Sequence, residues 1–82
     1  VGNVNDGSEV LASGNIWIWG KLQGVAHAGC QGDEEAHILA RVFESNQIRI
    51  GKLYSSIERN NSYWGKSVLI YAEENMLVFK EI

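Results

Sequence analysis

Apolar and polar residues alternate along this chain in short blocks, and the block around which the rest is organised is SGNIWIWG, residues 13–20. It opens on Gly14 and Asn15, a pair that turns a chain cheaply because both residues tolerate positive φ, and it closes on Gly20. Between them stand Ile16, Trp17, Ile18 and Trp19, all β-prone and all apolar. Successive side chains of a strand point to opposite faces, so burying one face leaves the other uncovered. If the isoleucines enter a core, the tryptophans point away from it. The second cover is either another layer of the same molecule or another molecule.

The rest of the chain reads as further short strands. The first 35 residues hold seven of the nine glycines, which leaves room only for short strands between corners. A shift of 18 residues sets Gly2 on Gly20, Val4 on Leu22, Val10 on Ala28, Ala12 on Cys30 and Gly14 on Gly32. That spacing predicts an all-β fold, a short solenoid turning once in about 18 to 20 residues. Val10 and Ala12 then stack over Ala26 and Ala28, and these near Ile48 and Ile50. Ile16 and Ile18 stack toward Ala36 and Ile38, and Leu22 toward Val42. Small alanines among branched residues suit a narrow interior, where facing side chains share limited volume.

Gly32, Asp33, Glu34 and Glu35 form a corner, after which AHILARVF (36–43) alternates as a strand, although propensity alone would allow a helix. Glu44, Ser45 and Asn46 turn the chain into a strand at QIRIG (47–51). Residues 52–66 lose the pattern and read as a loop or one short helical turn. The end reads as a β-hairpin, with arms at 68–71 and 76–79 around Glu73, Glu74 and Asn75.

At 82 residues the chain is a single domain, 1–82, whose own core gives a thin stability margin that self-association would reinforce. Its one cysteine, Cys30, excludes an internal disulfide and fits a reducing compartment. A net charge of -3, with seven Lys and Arg in no basic run, argues against a nucleic-acid partner. No apolar run approaches the ~20 residues that span a bilayer. The chain starts at Val1 directly inside a strand-and-turn pattern, and it is read as a piece of a longer protein.

Chemistry is sparsely represented. The serines stand in turns and polar loops, none in a nucleophile elbow. Asp33, Glu34 and Glu35 are adjacent, whereas acid–base pairs need carboxylates opposed across a cleft, so they read as a solvated corner. His27, Cys30 and His37, with Asp33 as a fourth group, have the ligand types of a zinc site but a loose spacing. A small core thiol and two outward histidines explain them better, so no metal and no cofactor is assigned. No phosphate-binding glycine motif precedes a helix. There remains the apolar surface. Trp17 and Trp19 point the same way, beside the outward His37 and Leu39 of the neighbouring coil, and tryptophan is enriched at interfaces. The alternative cover is local, with the C-terminal hairpin or the segment around Tyr63 and Trp64 folding over them.

The string EVLASGNIWIWGKLQGVAHAG (9–29) closely resembles the C-terminal domain family of the bacterial septum-site-determining protein MinC. The corner at Gln31, Gly32 and Asp33, the strand with Ile48, Ile50 and Gly51, and the segment Trp64-Gly65-Lys66 before the hairpin extend the resemblance over nearly the whole chain. It implies a right-handed triangular β-helix that forms a homodimer through an apolar face, here Trp17, Trp19, His37 and Leu39. It implies binding to the membrane-associated ATPase MinD, with Ser13, Gly14 and Asn15 as candidate contacts, and antagonism of FtsZ assembly shared with a separate N-terminal domain. The function implied is inhibition of division at wrong sites, without a catalysed reaction, in the cytoplasm and at the membrane only through MinD. Two departures stand out. The family's Arg-Ser-Gly-Gln segment is absent from these residues, and Ser13 replaces the family's usual Asp before Gly-Asn. The rival expectations are a solenoid that polymerises end to end and a fragment of a left-handed β-helix acyltransferase. The apolar stations are too unevenly spaced for the six-residue repeats of the latter.

Overall fold

The computed structural model describes residues 1–82, and all its regular structure is β. Eight strands follow in order: β1 (Glu9–Leu11), β2 (Ile16–Leu22), β3 (Val25–Ala28), β4 (His37–Phe43), β5 (Gln47–Ile50), β6 (Leu53–Ser56), β7 (Val68–Glu73) and β8 (Met76–Glu81). They make two four-stranded sheets of order β1-β3-β5-β6 and β2-β4-β7-β8. Up to β5 the chain alternates between the sheets, so neighbours in each sheet come from successive passes and pair parallel. From β6 onward it reverses, and β6, β7 and β8 pair antiparallel.

The core lies between the sheets and is filled in ladders. Val10 stands beside Ala26 and Ala26 beside Ile48, while Ala28 stands beside Ile50, as the alternation predicted. In the second sheet Ile16, Ile38 and Ile70 form one ladder, and Ile18, Ala40 and Val68 the next. All except the half-buried Val10 are buried, and each alanine leaves volume for the branched residues beside and opposite it.

The expected register of the second sheet shifts by two residues, because Ile16 and Ile18 meet Ile38 and Ala40 rather than Ala36 and Ile38. The corner after β3 takes up more chain than an 18-residue turn allows. Nor does β2 stop at Gly20; it runs through to Leu22 with an irregularity between Ile18 and Lys21. At that point the N-terminal segment joins the edge of β2. Gly20 N donates to Gly2 O at 2.6 Å, and Lys21 N donates to Asn3 Oδ1 at 2.8 Å. A Cβ on Gly20 would strike the Gly2 carbonyl and the Asn3 side chain, so glycine is required there by close approach. Because β2 spends an extra residue at this bend, Leu22 stands beside Phe43, and Lys21 takes the place beside Val42.

Phe43 is fully buried and anchors an aromatic cluster, with Trp64 and Phe79 edge-on at 6.0 and 5.6 Å and Tyr63 stacked on Phe79. Tyr63 and Trp64 therefore close this end of the core and do not cover Trp17 and Trp19. Within 52–66, the expected loop contains β6, which folds back on β5 at Gly51 (φ 58). The terminal hairpin is as expected, its bend made by Glu74 and Asn75 at φ 52 and 65, the two left-handed positions of a type I′ turn. The corner at Gly14 and Asn15, by contrast, needs no positive φ.

The register predicts unequal costs at two neighbouring positions. Phe43→Ala is expected to lower unfolding free energy by about 3–5 kcal/mol, enough to unfold a small domain, and Val42→Ala by about 1 kcal/mol. Denaturant midpoints of the two variants measure this, and equal losses would contradict the assigned register.

Candidate binding surface

Alternation that sends Ile16 and Ile18 inward sends Trp17 and Trp19 outward, and they remain 50% and 57% exposed. Their rings meet edge-on at 6.3 Å. On the adjacent strand β4, Leu39 lies directly beside Trp17, and His37 stacks on the Trp17 ring at 6.2 Å and 27°. The sheet continues this surface in two rows. Leu39 faces Leu69 and then Lys80, and His37 faces Tyr71 and then Val78. The four residues expected from the sequence are thus brought together, and Leu69, Tyr71 and Val78 enlarge the patch. Those three come from the terminal hairpin, whose antiparallel docking on β4 could not be read locally. The outward alternation of Leu69 and Tyr71 in β7 was the available signal. Charges stand at the margin: Lys80 lies over the Tyr71 ring at 5.9 Å, and Lys66 pairs with Glu81 at 3.6 Å.

The outer face of the first sheet is different. Glu9, Gln47, Arg49 and Ser56 occupy outward positions there, and Leu11 and Tyr54 are its large exposed apolar groups. Contiguous apolar area therefore runs from the second sheet round its β2 edge, where Val1, Val10, Leu11 and Ala12 line one cleft with Trp17 and Trp19, and such area marks an interaction surface.

One polar contact lies on the patch. Trp17 Nε1 donates to His37 Nε2 at 3.0 Å.

Ser13, Gly14 and Asn15 form the corner between β1 and β2, next to this patch. Gly14 O accepts from Gly29 N at 3.0 Å, and Asn15 Oδ1 accepts from His37 N at 2.9 Å. Asn15 therefore ties the corner to the first residue of β4. Ser13 is exposed, and a Cβ on Gly14 would meet nothing within 4 Å, so the outer side of this corner is open.

His27, Cys30, Asp33 and His37 do not converge. His27 faces outward from the first sheet with Nε2 3.0 Å from Gly51 O, and His37 faces outward from the second against Trp17. Cys30 and Asp33 lie in the corner between them, and no cluster of three or more such side chains is placed to hold a metal ion. Within the acidic corner Asp33 Oδ1 accepts from Glu35 N at 2.9 Å, a local turn contact.

Residues 1–82 match the family described as septum formation inhibitor MinC, C-terminal domain. A probable septum site-determining protein MinC of Geobacillus kaustophilus is 49% identical over 55 residues, 67% of this chain and 24% of that protein. One from Aquifex aeolicus is 41% identical over 80 residues, 94% of this chain and 40% of that protein. Among solved structures, a chain of the MinC:MinD cell division protein complex of Aquifex aeolicus superimposes with a TM-score of 0.89 at 38% identity. That match covers the whole of this chain and 67% of the other. The chain thus spans roughly a quarter to two fifths of the length of these curated relatives. No helix is long and apolar enough to cross a membrane.

Proposed function

This chain belongs to the family of MinC C-terminal domains, and from that premise we propose that it is a non-enzymatic module of a cell-division inhibitor. It pairs with a second copy of itself and couples the inhibitor to MinD. The observation that carries the reading is the outer face of the second sheet, where Trp17 and Trp19 stand half exposed beside His37, Leu39, Leu69 and Tyr71. A small domain that leaves two tryptophans uncovered gains most by burying them against an identical face, which turns marginal stability into dimer stability. The pairs of parallel strands in each sheet, with Val4 bridging to Leu22 as a third side, support a right-handed triangular winding in which this face is flat.

The MinD contact is assigned to the corner of Ser13, Gly14 and Asn15. Its support is the fold shared with a MinC chain solved together with MinD, and the open outer side of that corner. Inhibition of FtsZ ring assembly belongs mainly to an N-terminal domain of the longer protein. The module itself needs no cofactor or nucleic acid, works in the cytoplasm, and reaches the inner face of the membrane through MinD.

Two experiments test these assignments. Combined Trp17→Ala and Trp19→Ala replacement should convert a dimer to a monomer in sedimentation equilibrium. Loss of buried interfacial tryptophans costs about 2 kcal/mol or more each, at least tenfold in Kd. An unchanged dimer would overturn the interface. For MinD, Gly14→Arg adds bulk where space is open, so folding should persist while capture by ATP-bound MinD weakens tenfold or more. Undiminished capture would move the contact elsewhere.

A further inference from the structure

Where the chain passes from the second sheet back to the first, three equivalent corners stack on one another: residues 5–8, 23–24 and 44–46. Backbone bonds hold them in register, with Gln23 N donating to Val4 O at 2.7 Å and Glu44 N to Leu22 O at 2.9 Å. The buried Ser45 Oγ adds a bond to Gly24 O at 2.6 Å. The segment between β6 and β7 returns to this stack and completes a cleft of about 260 Å³, lined by Asp6, Gln23, Glu44, Asn46, Arg59 and Trp64. A shallower cleft continues it past Asp6 and Gln23 to Ser8 and Glu9. The resulting groove shares no lining residue with the cleft beside Trp17 and Trp19.

The polar groups of the cleft are unevenly spent. Gln23 Nε2 donates to Glu44 Oε1 at 3.0 Å, which fixes two half-buried side chains against each other. That bond leaves Gln23 Oε1 and Glu44 Oε2 side by side as acceptors without a partner in the chain, and both reach solvent. Trp64 is half-buried, held edge-on by Phe43 at 6.0 Å. Arg59 pairs with neither Asp6 nor Glu44, because the single ion pair of the structure is Lys66–Glu81. Along the whole groove the carboxylates of Asp6, Glu9 and Glu44 face one cation.

An indole, a fixed pair of acceptors and an excess of negative charge together suit one kind of group. A guanidinium is planar, stacks on tryptophan, and presents donors in a fork that matches two adjacent oxygens. We propose that this cleft seats an arginine side chain presented by an extended segment of a partner protein. The guanidinium lies against Trp64 and donates to Gln23 Oε1 and Glu44 Oε2, and further basic residues of the segment follow the groove past Asp6 and Glu9. Charge complementarity selects the partner, since an acidic segment would meet three carboxylates. The site depends neither on self-pairing nor on the corner at Ser13. Arg59 gives the arrangement a signature: as the cation already in the cleft it opposes an arriving arginine, whereas a carboxylate or phosphate ligand would depend on it.

Nuclear magnetic resonance of the Trp64 indole N–H, assigned with Trp64→Phe, tests this in the unaltered 82-residue chain. The probes are the blocked tripeptides acetyl-Gly-Arg-Gly-amide, its citrulline counterpart, which has the same shape without the charge, and acetyl-Gly-Glu-Gly-amide. The arginine peptide should move the Trp64 resonance saturably in the millimolar range and leave those of Trp17 and Trp19 in place. The other two should not move it. Glu44→Gln keeps an acceptor for Gln23 Nε2 but removes the charge, and should weaken the arginine peptide by about three- to fivefold. Arg59→Gln should tighten it by about twofold or more. No saturable response, an equal response to citrulline or glutamate, or weaker binding in Arg59→Gln would overturn the assignment.

Discussion

A strand that is apolar on both faces has to be covered on both, and β2 imposes that requirement on the whole domain. Its inner face is met from within. Ile16 and Ile18 sit in ladders continued by Ile38, Ile70, Ala40 and Val68, so the β2-β4-β7 part of the sheet exists to close over them. Its outer face is met by nothing else in the chain. The aromatic residues that might have folded back, Tyr63 and Trp64, are held at the other end of the core by Phe43 and Phe79. Each half-exposed tryptophan keeps a large apolar area in water, and apolar burial contributes about 25 cal/mol per Å², so a matching face gains several kcal/mol by docking there.

The bend in β2 decides where the outer face ends. Gly20 lets the N-terminal segment approach the strand edge, and the extra residue there puts Lys21 outward beside Val42 and sends Leu22 and Phe43 inward. The outward Lys21 and the pairing of Leu22 with Phe43 therefore come from one local irregularity. The corner before β2 is tied to the patch as well, because Asn15 Oδ1 holds the backbone N–H of His37.

Much of this was legible in the residues. Alternation placed Val10, Ala26, Ala28, Ile48 and Ile50 in the same stack, and it sent Trp17, Trp19, His37 and Leu39 to one outer face. The 18-residue shift held where backbone bonds join Gly2 to Gly20, Val4 to Leu22 and Ala12 to Cys30. It failed at Val10, which pairs with Ala26, since corners of unequal length break any fixed period. β6 was missed because Leu53, Tyr54, Ser55 and Ser56 lack a strong strand signal, and it forms because β5 offers an edge after the turn at Gly51. Leu69, Tyr71 and Val78 were invisible as part of the surface because their register on β4 is a long-range pairing that no local pattern encodes.

Small-angle scattering across a concentration series at neutral pH addresses the central claim most directly. The account predicts a particle of twice the 9.1 kDa chain mass, with a radius of gyration well above the 11.0 Å of one copy. A particle of single-chain mass and size at every concentration would contradict it, because the outer face of β2 would then stand uncovered in solution.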